Sequence, residues 1–384
     1  MKILEMAWAV LHQTSVPQSS SILKSASPVG NLPAMIRIGF IPVTDCVPLI
    51  AAQRLGLFEA RGLRVSLHCE VGWATIREKL VHNQLDAAHA VVGLILALRL
   101  GLQGPQFPVV APFVFSLHGN AITLSRDLWN HGVRDAVTLR KLIRSRKDRL
   151  LSFGVVSPFS AHHFLLRRWL QQGGIDADRD VRIQAFPPSL MAENLAAGLL
   201  DGYCAGEPWN SQAVATGKGW CPALSEDLLP GHPDKALLVS EAFAQQQGER
   251  LAALCEVCRE ACAFCDVKEN RPLLAKWLAE SGYFTADVSV LKRSLVGPFD
   301  NGMGQLRDAQ SFHIFSRQEA NDPTPARAAW LIQECLQHGL LPADSAGLAK
   351  RELAHAWNHS LSQPPPVRPA RRKISPTKHI PLTP

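Results

Sequence analysis

The sequence predicts an α/β protein built from two lobes. Its 384 residues exceed what one ordinary hydrophobic core holds, and they suit two lobes of roughly 100–200 residues each. Buried-strand patterns alternate with helical patterns, and one strand–helix–strand unit occurs twice, in residues 36–90 and 151–186. Such units form parallel sheets through right-handed connections. We therefore expect two parallel sheets and a ligand cleft outside the carboxyl ends of their strands.

Each unit can be divided into elements. In the first unit, strands are predicted at residues 36–41, 63–69 and 85–90, with helices at residues 47–55 and 75–82. In the second unit, strands are predicted at residues 151–156 and 181–186, with a helix at residues 161–172 that ends before two glycines. Two more helices are predicted in the C-terminal part, at residues 241–266 and 327–340.

The predicted lobes follow from this order. Lobe one comprises residues 35–118 and returns at residues 233–350 with the C-terminal helices, and lobe two comprises residues 119–232. Residues 1–34 are predicted to form an irregular or disordered extension. Residues 363–384 are rich in proline and poor in apolar side chains, so they are predicted to form a disordered basic tail.

The charge distribution argues against a nucleic-acid groove. The formal charge is +7, but five positive charges belong to the tail, which leaves about +2 for the body of the chain. With 47% hydrophobic and 19% charged residues, the composition is that of a globular protein. No stretch reaches the length of a membrane span. The common phosphate-loop, nucleophile-elbow and zinc-protease motifs are absent, so we expect no enzyme.

Four cysteines form two Cys-x-x-Cys pairs, Cys255 with Cys258 and Cys262 with Cys265. A metal site is one interpretation of these pairs. On a helix, however, their spacing places them along one face over roughly 15 Å, which is too far for one tetrahedral ion. Core packing is therefore favoured, because a free cysteine behaves as a small hydrophobic residue. We expect no metal and no cofactor.

The N-terminal sequence gives evidence about the cellular compartment of the protein. Its apolar run covers only residues 6–11, follows Glu5, and has Lys2 as its one preceding cation. A secretory signal has a cationic start and a longer apolar core. The odd number of cysteines, nine, also suits a reducing compartment. We therefore expect a cytoplasmic protein, with a periplasmic one as the alternative.

Five segments carry polar and aromatic residues in predicted loops, where ligand-contacting residues concentrate. They read GFIPVTDCVPL at residues 39–49, GWATIREK at 72–79, HGNAIT at 118–123, GYCAGEPWN at 202–210 and PGHPDK at 230–235. In this order and spacing, they resemble the nitrate-binding family of two-lobed solute-binding proteins over residues 36–315. The resemblance implies a periplasmic-binding-protein-like fold of type II that closes on nitrate or nitrite.

His162 and His163 begin the predicted helix at residues 161–172. Neighbours on a helix do not share a face, so only one of them should point into the cleft. A lone histidine is usually a packed or capping residue. The resemblance instead implies that His162 is a ligand donor, and the N–H groups at a helix start also favour an anion.

Trp73 and Trp209 would by default be packed aromatic residues. The resemblance implies that Trp73 lines the pocket, and Asn120 stands where relatives carry an amide side chain. An indole N–H, an aromatic wall and an amide group suit nitrate, which is small, planar and weakly hydrated. Three residues of the same segments complete this part of the predicted ligand-binding set: Asp45, Gly206 and Pro208.

Lys235 decides between two anions in this prediction. In a turn it would normally be an exposed side chain. The resemblance implies a pocket lysine in nitrate-binding members, whereas bicarbonate-binding relatives carry an acidic residue and recruit a metal cation. A buried anion needs a compensating charge, so nitrate or nitrite is favoured. Glu207 has two interpretations, since it either holds Lys235 in place or shapes its loop through the backbone.

Because no export signal is evident, the chain resembles the cytoplasmic nitrate/nitrite sensors of this family. The resemblance implies that an RNA-binding antitermination regulator is the partner, released when the ligand binds. One alternative is the extracytoplasmic component of an ABC importer, whose partner is a permease. Another is an enzyme on the same fold, such as those of thiamine-precursor synthesis. We expect no direct contact with nucleic acid.

Overall fold

The computed structural model describes residues 34–146, 148–308 and 310–357. The predicted tail, and the predicted extension except Ala34, lie outside these residues. The strands are β1 (Ile36–Phe40), β2 (Val65–Cys69), β3 (Ala87–Val91), β4 (Val109–His118), β5 (Asn120–Ser125), β6 (Leu151–Val155), β7 (Val181–Ala185), β8 (Gly202–Gly206), β9 (Gly219–Leu224), β10 (Pro233–Ser240), β11 (Phe299–Asp300), β12 (Leu306–Arg307) and β13 (His313–Ile314).

Helices follow most strands and cover the faces of the sheets. They are α1 (Val47–Arg54), α2 (Leu57–Ala60), α3 (Trp73–Val81), α4 (Leu94–Arg99), α5 (Arg126–Asn130), α6 (Ala136–Ser145), α7 (Ala161–Gln172), α8 (Met191–Ala196), α9 (Trp209–Ala215), α10 (Ser225–Leu228), α11 (Glu241–Gln246), α12 (Gly248–Asp266), α13 (Arg271–Glu280), α14 (Val288–Leu295), α15 (Pro325–Gln337) and α16 (Ala346–Trp357). Among the described residues, none of the helices combines the length and apolar character needed to cross a membrane.

The strands form two main sheets, which confirms the predicted two-lobed α/β fold. The first has the order β13-β4-β10-β3-β1-β2, and the second has the order β7-β6-β8-β5-β9. In each sheet a strand that enters from the other lobe, β10 or β5, lies between locally connected strands. The strands β1, β2 and β3 are parallel, as are β6, β7 and β8.

The sheets are mixed rather than parallel throughout, because β10 runs antiparallel to β3 and β4, and β5 runs antiparallel to β8 and β9. A strand that arrives directly from the other lobe has no helical crossover to return it to the parallel direction.

The chain crosses from the first sheet to the second through the short connection between β4 and β5. His118 and Gly119, which join β4 to β5, have φ angles of 64° and 88°. A Cβ atom on Gly119 would lie 2.6 Å from the His313 ring, so this position requires glycine. The His118 Nε2 atom accepts a hydrogen bond from the Gly231 N–H at 2.7 Å, and its Nδ1 atom donates to the Ser311 main-chain oxygen at 2.8 Å. The His118 imidazole therefore links three chain segments, which are the β4–β5 connection and the segments that contain Gly231 and Ser311.

The segment predicted as the return to lobe one also packs against lobe two. The Asn301 main-chain oxygen accepts a hydrogen bond from the Cys221 N–H of β9 at 2.9 Å. Helix α15 lies against α7, where the Trp330 and Phe164 ring centroids are 6.1 Å apart. Helix α16 contacts β4 and α4 of the first lobe. The C-terminal part of residues 233–350 therefore bridges both lobes.

Three helix predictions need adjustment. The helix predicted at residues 327–340 is α15, which begins two residues and ends three residues earlier. The helix predicted at residues 241–266 is interrupted at Gln247, whose φ of −129° separates α11 from α12. Helix α3 begins at Trp73 rather than at residue 75, because the extended Gly72 directly precedes it.

The four spaced cysteines are buried along α12, and the Cys262 Sγ atom contacts the Phe115 main-chain oxygen of β4 at 3.5 Å. They pack in the core of the first lobe. The described part of the chain has no group of three or more His, Cys, Asp or Glu side chains that could hold a metal ion.

Candidate ligand-binding site

The predicted site residues lie where parallel strands of the two sheets end. Asp45 belongs to a 3-10 turn (Thr44–Cys46) just after β1, and Trp73 begins α3 after β2. His162 is the second residue of α7, which follows β6, and Gly206 ends β8. Side chains at carboxyl ends of parallel strands meet at one edge of a sheet, which is where ligands bind in such folds.

Asn120 and Lys235 reach this edge by a different route. Both belong to segments that the sequence predicts as loops, but Asn120 is the first residue of β5 and Lys235 lies inside β10. These are the two strands that enter from the opposite lobe. No strand was predicted at residues 120–125 or 233–240, and periodicity does not show from which lobe a strand comes.

The two lobes contribute neighbouring groups. A Cβ atom on Gly206 would lie 3.5 Å from Asn120 Oδ1, 3.6 Å from Val43 Cγ1 and 3.8 Å from His162 Nε2. Val43 precedes the turn of the first lobe, whereas Asn120, Gly206 and His162 belong to the second. A Cβ atom at position 206 would therefore be in ordinary van der Waals contact with groups of both lobes, so Gly206 lies where the lobes meet.

Trp73 joins the two halves of the site. Its ring centroid is 6.1 Å from that of His162 and 5.5 Å from the Lys235 ammonium nitrogen. The contact with His162 reaches the second lobe, whereas Lys235 belongs to β10 of the first sheet. Asp45, Trp73, Asn120, His162, Gly206 and Lys235 are thus brought together by the fold.

Several buried polar groups at this position make no hydrogen bond to another protein group. They are Trp73 Nε1, both side-chain atoms Oδ1 and Nδ2 of Asn120, and both ring nitrogens of His162. Buried polar atoms in native proteins are nearly always paired, and an unpaired one costs about 1–3 kcal/mol. Five such atoms from three neighbouring residues indicate a site whose hydrogen bonds are completed by a bound molecule.

The neighbouring His163 has the structural role. Its Nδ1 atom donates to the Pro158 main-chain oxygen at 2.8 Å, and its Nε2 atom accepts from Arg167 at 2.9 Å. Burial lowers the pKa of His162 to about 3, so His162 is neutral near pH 7. The two adjacent histidines therefore divide as expected, one anchored in its own lobe and one free to contact a ligand.

Lys235 is buried and paired. Its ammonium group donates to Asp45 Oδ2 at 2.8 Å and also to the Asp234 carboxylate. Side-chain exposure is 0% for Lys235, 1% for Asp45 and 0% for Asp234. These three residues, here called the Lys235 cluster, form a fully desolvated ion triad. The lysine charge that the sequence assigned to the ligand alone is shared with two carboxylates.

Asp234 was missed by the sequence analysis. Neighbouring residues of a regular strand point to opposite faces, so Asp234 would be expected to face away from Lys235. The pairing of β10 with β4 shifts in register between Pro233 and Lys235. Such a bulge redirects side chains locally, and it lets adjacent residues meet. The sequence signal that could have indicated this contact is the Pro-Asp-Lys run at the start of β10.

Burial and charge act differently on the two carboxylates of the Lys235 cluster. Burial raises the pKa of Asp45 to about 7, against the attraction of the Lys235 charge. Burial also opposes ionisation of Asp234, but the Lys235 charge outweighs it and holds the pKa of Asp234 well below its ordinary value. For Lys235, burial is outweighed by both carboxylates, which raise its pKa. Asp234 and Lys235 are therefore charged near pH 7, while Asp45 titrates there.

Glu207 shapes its loop instead of holding Lys235. Its main-chain oxygen accepts a hydrogen bond from the Thr44 N–H at 2.6 Å, which links the loop after β8 to the turn after β1. Its carboxylate accepts from the Ser211 N–H at 3.2 Å in α9. Lys235 is held by Asp45 and Asp234, so the first interpretation of Glu207 is wrong and the second describes its contacts.

Pro208 and Trp209 form the start of α9. Pro208 follows a cis peptide bond and caps the helix. The Trp209 main-chain oxygen accepts a hydrogen bond from the Tyr203 hydroxyl at 2.7 Å, which anchors this end of the helix. The indole nitrogen of Trp209 is buried without a hydrogen bond. A direct ligand contact by either residue stays a prediction.

Glu207→Gln is expected to stabilise the protein at pH 8. Burial raises the pKa of Glu207 to about 7, whereas the unfolded value is 4.5. The favourable contribution of this group is complete below its unfolded pKa and is lost as pH rises through about 7. Relative to the glutamine variant, the wild type should lose roughly 2–4 kcal/mol of unfolding free energy between pH 4 and pH 8. Urea unfolding of both proteins across this range measures the difference.

Glu334→Gln is the matched control for this experiment. Glu334 is also buried, but it pairs with Arg168 at 3.1 Å. Burial opposes its ionisation, yet hydrogen bonds from His338 and Arg168 hold the pKa of Glu334 below its ordinary value. This variant should therefore lose stability at pH 8. The same pH dependence in both variants would contradict the assignment for Glu207.

Two curated proteins match most of the chain in sequence. The chain is 35% identical over 311 residues to the nitrate import ATP-binding protein NrtC of Synechocystis sp. PCC 6803, and this match covers 79% of the chain and 46% of NrtC. It is 34% identical over 309 residues to the bicarbonate transport ATP-binding protein CmpC of Synechococcus elongatus, covering 80% of the chain and 46% of CmpC. The chain thus spans about half the length of these relatives.

Among solved structures, the periplasmic nitrate-binding protein NrtA from Synechocystis PCC 6803 superposes with a TM-score of 0.78 at 25% identity. The superposition covers 86% of this chain and 91% of NrtA. The model of the NMT1-like family matches residues 31–279, which hold β1 to β10 and all nine predicted site residues. The chain therefore belongs to the NMT1-like family.

Proposed function

We propose that the chain binds nitrate or nitrite between its two lobes. The observation that carries this proposal is the group of buried, unpartnered hydrogen-bonding atoms on Trp73, Asn120 and His162. The indole and amide groups offer N–H donors, and the Trp73 ring offers a flat wall beside them. A small planar oxyanion matches both features. The nitrate-related names of NrtA and NrtC support the same ligand class.

Bicarbonate is the competing ligand, because CmpC is almost as similar to the chain as NrtC. The Lys235 cluster favours nitrate or nitrite over bicarbonate with a metal cation. Asp45 and Asp234 already bind an ammonium group, which takes the place that a cation would need between them. The affinity for a metal ion should accordingly be low.

Calorimetric titration tests this proposal. The protein is first freed of bound anions and then titrated with nitrate, nitrite, sulfate, and bicarbonate with and without calcium. We expect one nitrate or nitrite per chain and no comparable heat from bicarbonate or sulfate. Binding of bicarbonate with calcium, together with no heat from nitrate or nitrite, would overturn the proposal.

We further propose that the chain is a cytoplasmic sensor that sequesters an RNA-binding antitermination regulator and releases it when nitrate binds. The resemblance to sensors of this kind motivates the proposal. The candidate ligand-binding residues of both lobes support it, since Trp73 and His162 face each other with ring centroids 6.1 Å apart, and a ligand held between lobes favours the closed form. A partner that prefers the open form would then dissociate, in proportion to the difference in affinity.

The alternative is a component of an anion importer, favoured by the import and transport names of NrtC and CmpC. Cell fractionation and co-purification separate the two functions. The sensor should lie in the cytosol and co-purify with the regulator only without nitrate, and Asn120→Asp, designed to lose the ligand, should keep the complex in nitrate. Recovery with a permease, or a regulator complex that ignores nitrate, would reject the sensor.

A further inference from the structure

The cleft holds an excess of negative charge before any anion arrives. The Lys235 cluster contains one ammonium group and two carboxylates, all at most 1% exposed. Its net charge is −1 when all three residues are ionised. A bound monovalent anion would bring the combined charge of cluster and ligand to −2. Burying charge without compensation is costly, because the low-dielectric interior replaces hydration poorly. The site needs another positive charge to hold an anion.

The groups around Asp45 supply no such charge. The groups that contact its turn or the Lys235 ammonium group are Asp234 and Lys235 of β10, His89 of β3, Cys46 of the same turn and the main chain of Glu207 after β8. Helices α1 and α14, which carry Arg54, Lys292 and Arg293, pack against the turn. Burial lowers the pKa of His89 to about 3, so this ring is neutral. Arg293 pairs with Asp300 at 3.3 Å, and Arg54 and Lys292 are exposed.

The remaining histidines near the cleft are also uncharged. Burial lowers the pKa of His162 to about 3, of His232 to about 4 and of His313 to about 3. His118 accepts a hydrogen bond from the Gly231 N–H through Nε2, which requires a neutral ring. The carboxylates that can take up a proton are therefore those of the Lys235 cluster and Glu207, whose pKa burial also raises to about 7, and of these groups Asp45 and Asp234 bond the Lys235 ammonium group.

We propose that the site takes up its anion together with one proton from solvent, and that the Asp45 carboxyl group holds this proton. The proposal rests on the function proposed above, because it presupposes an anionic ligand. Protonation of Asp45 leaves Asp234 and Lys235 as a neutral pair. The Lys235 ammonium group then has one carboxylate fewer to balance, and its charge is available to the ligand.

Geometry selects Asp45 over Asp234 as the proton acceptor. The Oδ1 atoms of both carboxylates make no hydrogen bond within the protein, but a proton on Asp45 Oδ1 would face the ring nitrogen His89 Nε2 at 3.5 Å. The Asp45 Oδ2 atom still accepts from Lys235 in the protonated form. The raised pKa of Asp45, about 7, and the depressed pKa of Asp234 agree with this choice.

The proposal has a consequence for specificity. One added proton compensates the charge of a monovalent anion, whereas a divalent anion would leave a second uncompensated charge in the cleft. The Lys235 cluster therefore favours monovalent oxyanions over sulfate or hydrogen phosphate. Selection by charge complements the selection by shape that Trp73 and Asn120 provide.

Nitrate titrations in pairs of buffers with different ionisation enthalpies count the protons taken up. Nitrate is the probe because it carries no proton between pH 5.5 and 8. Since Asp45 has a pKa of about 7, we expect nearly one proton per nitrate at pH 8 and almost none at pH 5.5. Affinity should be constant at low pH and about ten-fold weaker at pH 8 than at pH 6.

Asp45→Asn separates proton uptake from the positioning of Lys235. Asparagine keeps an oxygen that accepts from Lys235 but cannot take up a proton. The variant should bind nitrate with no proton uptake, and at pH 8 it should bind about ten-fold more tightly than the wild type. A role in positioning alone would instead make binding weaker at every pH.

Asp201→Asn is the matched control. Asp201 is likewise buried and paired, with Arg149 at 2.7 Å, but it precedes β8 at the end of the strand remote from the cleft. This variant should keep the proton uptake of the wild type.

Each result decides a different point. Nitrate binding by the wild type without proton uptake at pH 8 would overturn the proton proposal and leave the proposed function intact. Uptake that persists in a folded Asp45→Asn protein would overturn the assignment to Asp45. An absence of nitrate binding at every pH would overturn the proposed function and this inference with it. Should Asp45→Asn not fold, the wild-type buffer series still decides whether a proton is taken up.

Discussion

Lys235→Ala is expected to lower the free energy of unfolding by about 3–5 kcal/mol, because it leaves two buried carboxylates without their cation. Asp45 and Asp234 both bond the Lys235 ammonium group and cannot reach solvent. Urea unfolding at pH 7 measures the loss. The loss should shrink at pH 5, where the unpaired carboxylates bind protons in the folded variant.

Lys79→Ala is the control for this change. Lys79 also bonds a carboxylate, that of Glu70 at 2.6 Å, but the lysine side chain is 36% exposed. An ion pair in contact with water contributes at most about 1 kcal/mol. If both alanine variants are as stable as the wild type, the buried triad does not exist in solution.

This expectation differs from the one that the sequence supports. From the sequence, Lys235 is a ligand-binding residue whose removal weakens nitrate binding and leaves the fold intact. The structure adds two carboxylates to its surroundings, so the same change affects folding first. Any loss of nitrate affinity must therefore be measured on the folded fraction. A ligand-binding role for Lys235 stays a prediction.

The fold could be predicted because its local patterns are strong. The parallel strands β1, β3 and β6 are short, buried and followed by helices, so period and spacing identify them, whereas residues 202–206, which form β8, were predicted as part of a loop. Strand direction was not predictable for β5 and β10, because an apolar run is the same in either direction. The break at Gln247 had a signal in the adjacent Gly248, but a single glycine inside a helical pattern is compatible with a continuous helix.

The candidate site was predictable in part for related reasons. Asp45, Trp73 and His162 follow predicted strands directly, and a strand end places its next residues at the edge of the sheet. Asp234 was not predictable, because its contact with Lys235 depends on a register shift within β10. Charge balance in a site depends on such contacts, so sequence spacing identified the lysine without its partners.

Asn120→Asp is expected to weaken nitrate binding by about 2–4 kcal/mol at pH 8, or roughly 30- to 1000-fold. The substitution keeps the shape of the side chain, replaces an NH₂ donor by a carboxylate and adds a negative charge beside the anion. The main chain of residue 120 should stay in place, because its N–H donates to Ser225 Oγ at 3.2 Å and β5 pairs with β8 at Gly206. Calorimetric titration at pH 8 and pH 5.5 measures the loss and its partial recovery on protonation.

Asn321→Asp provides the contrast that makes this result specific. Asn321 is buried too, but its amide donates to the Val114 and Phe315 main-chain oxygens at 2.8 and 2.7 Å, within the first lobe. Its replacement should lower stability through two lost hydrogen bonds, while the folded protein binds nitrate normally. Asn120→Asp should show the reverse, because the Asn120 side chain makes no hydrogen bond within the protein. Unchanged nitrate affinity in a folded Asn120→Asp protein would exclude the amide from the pocket and leave Trp73 and His162 as its donors.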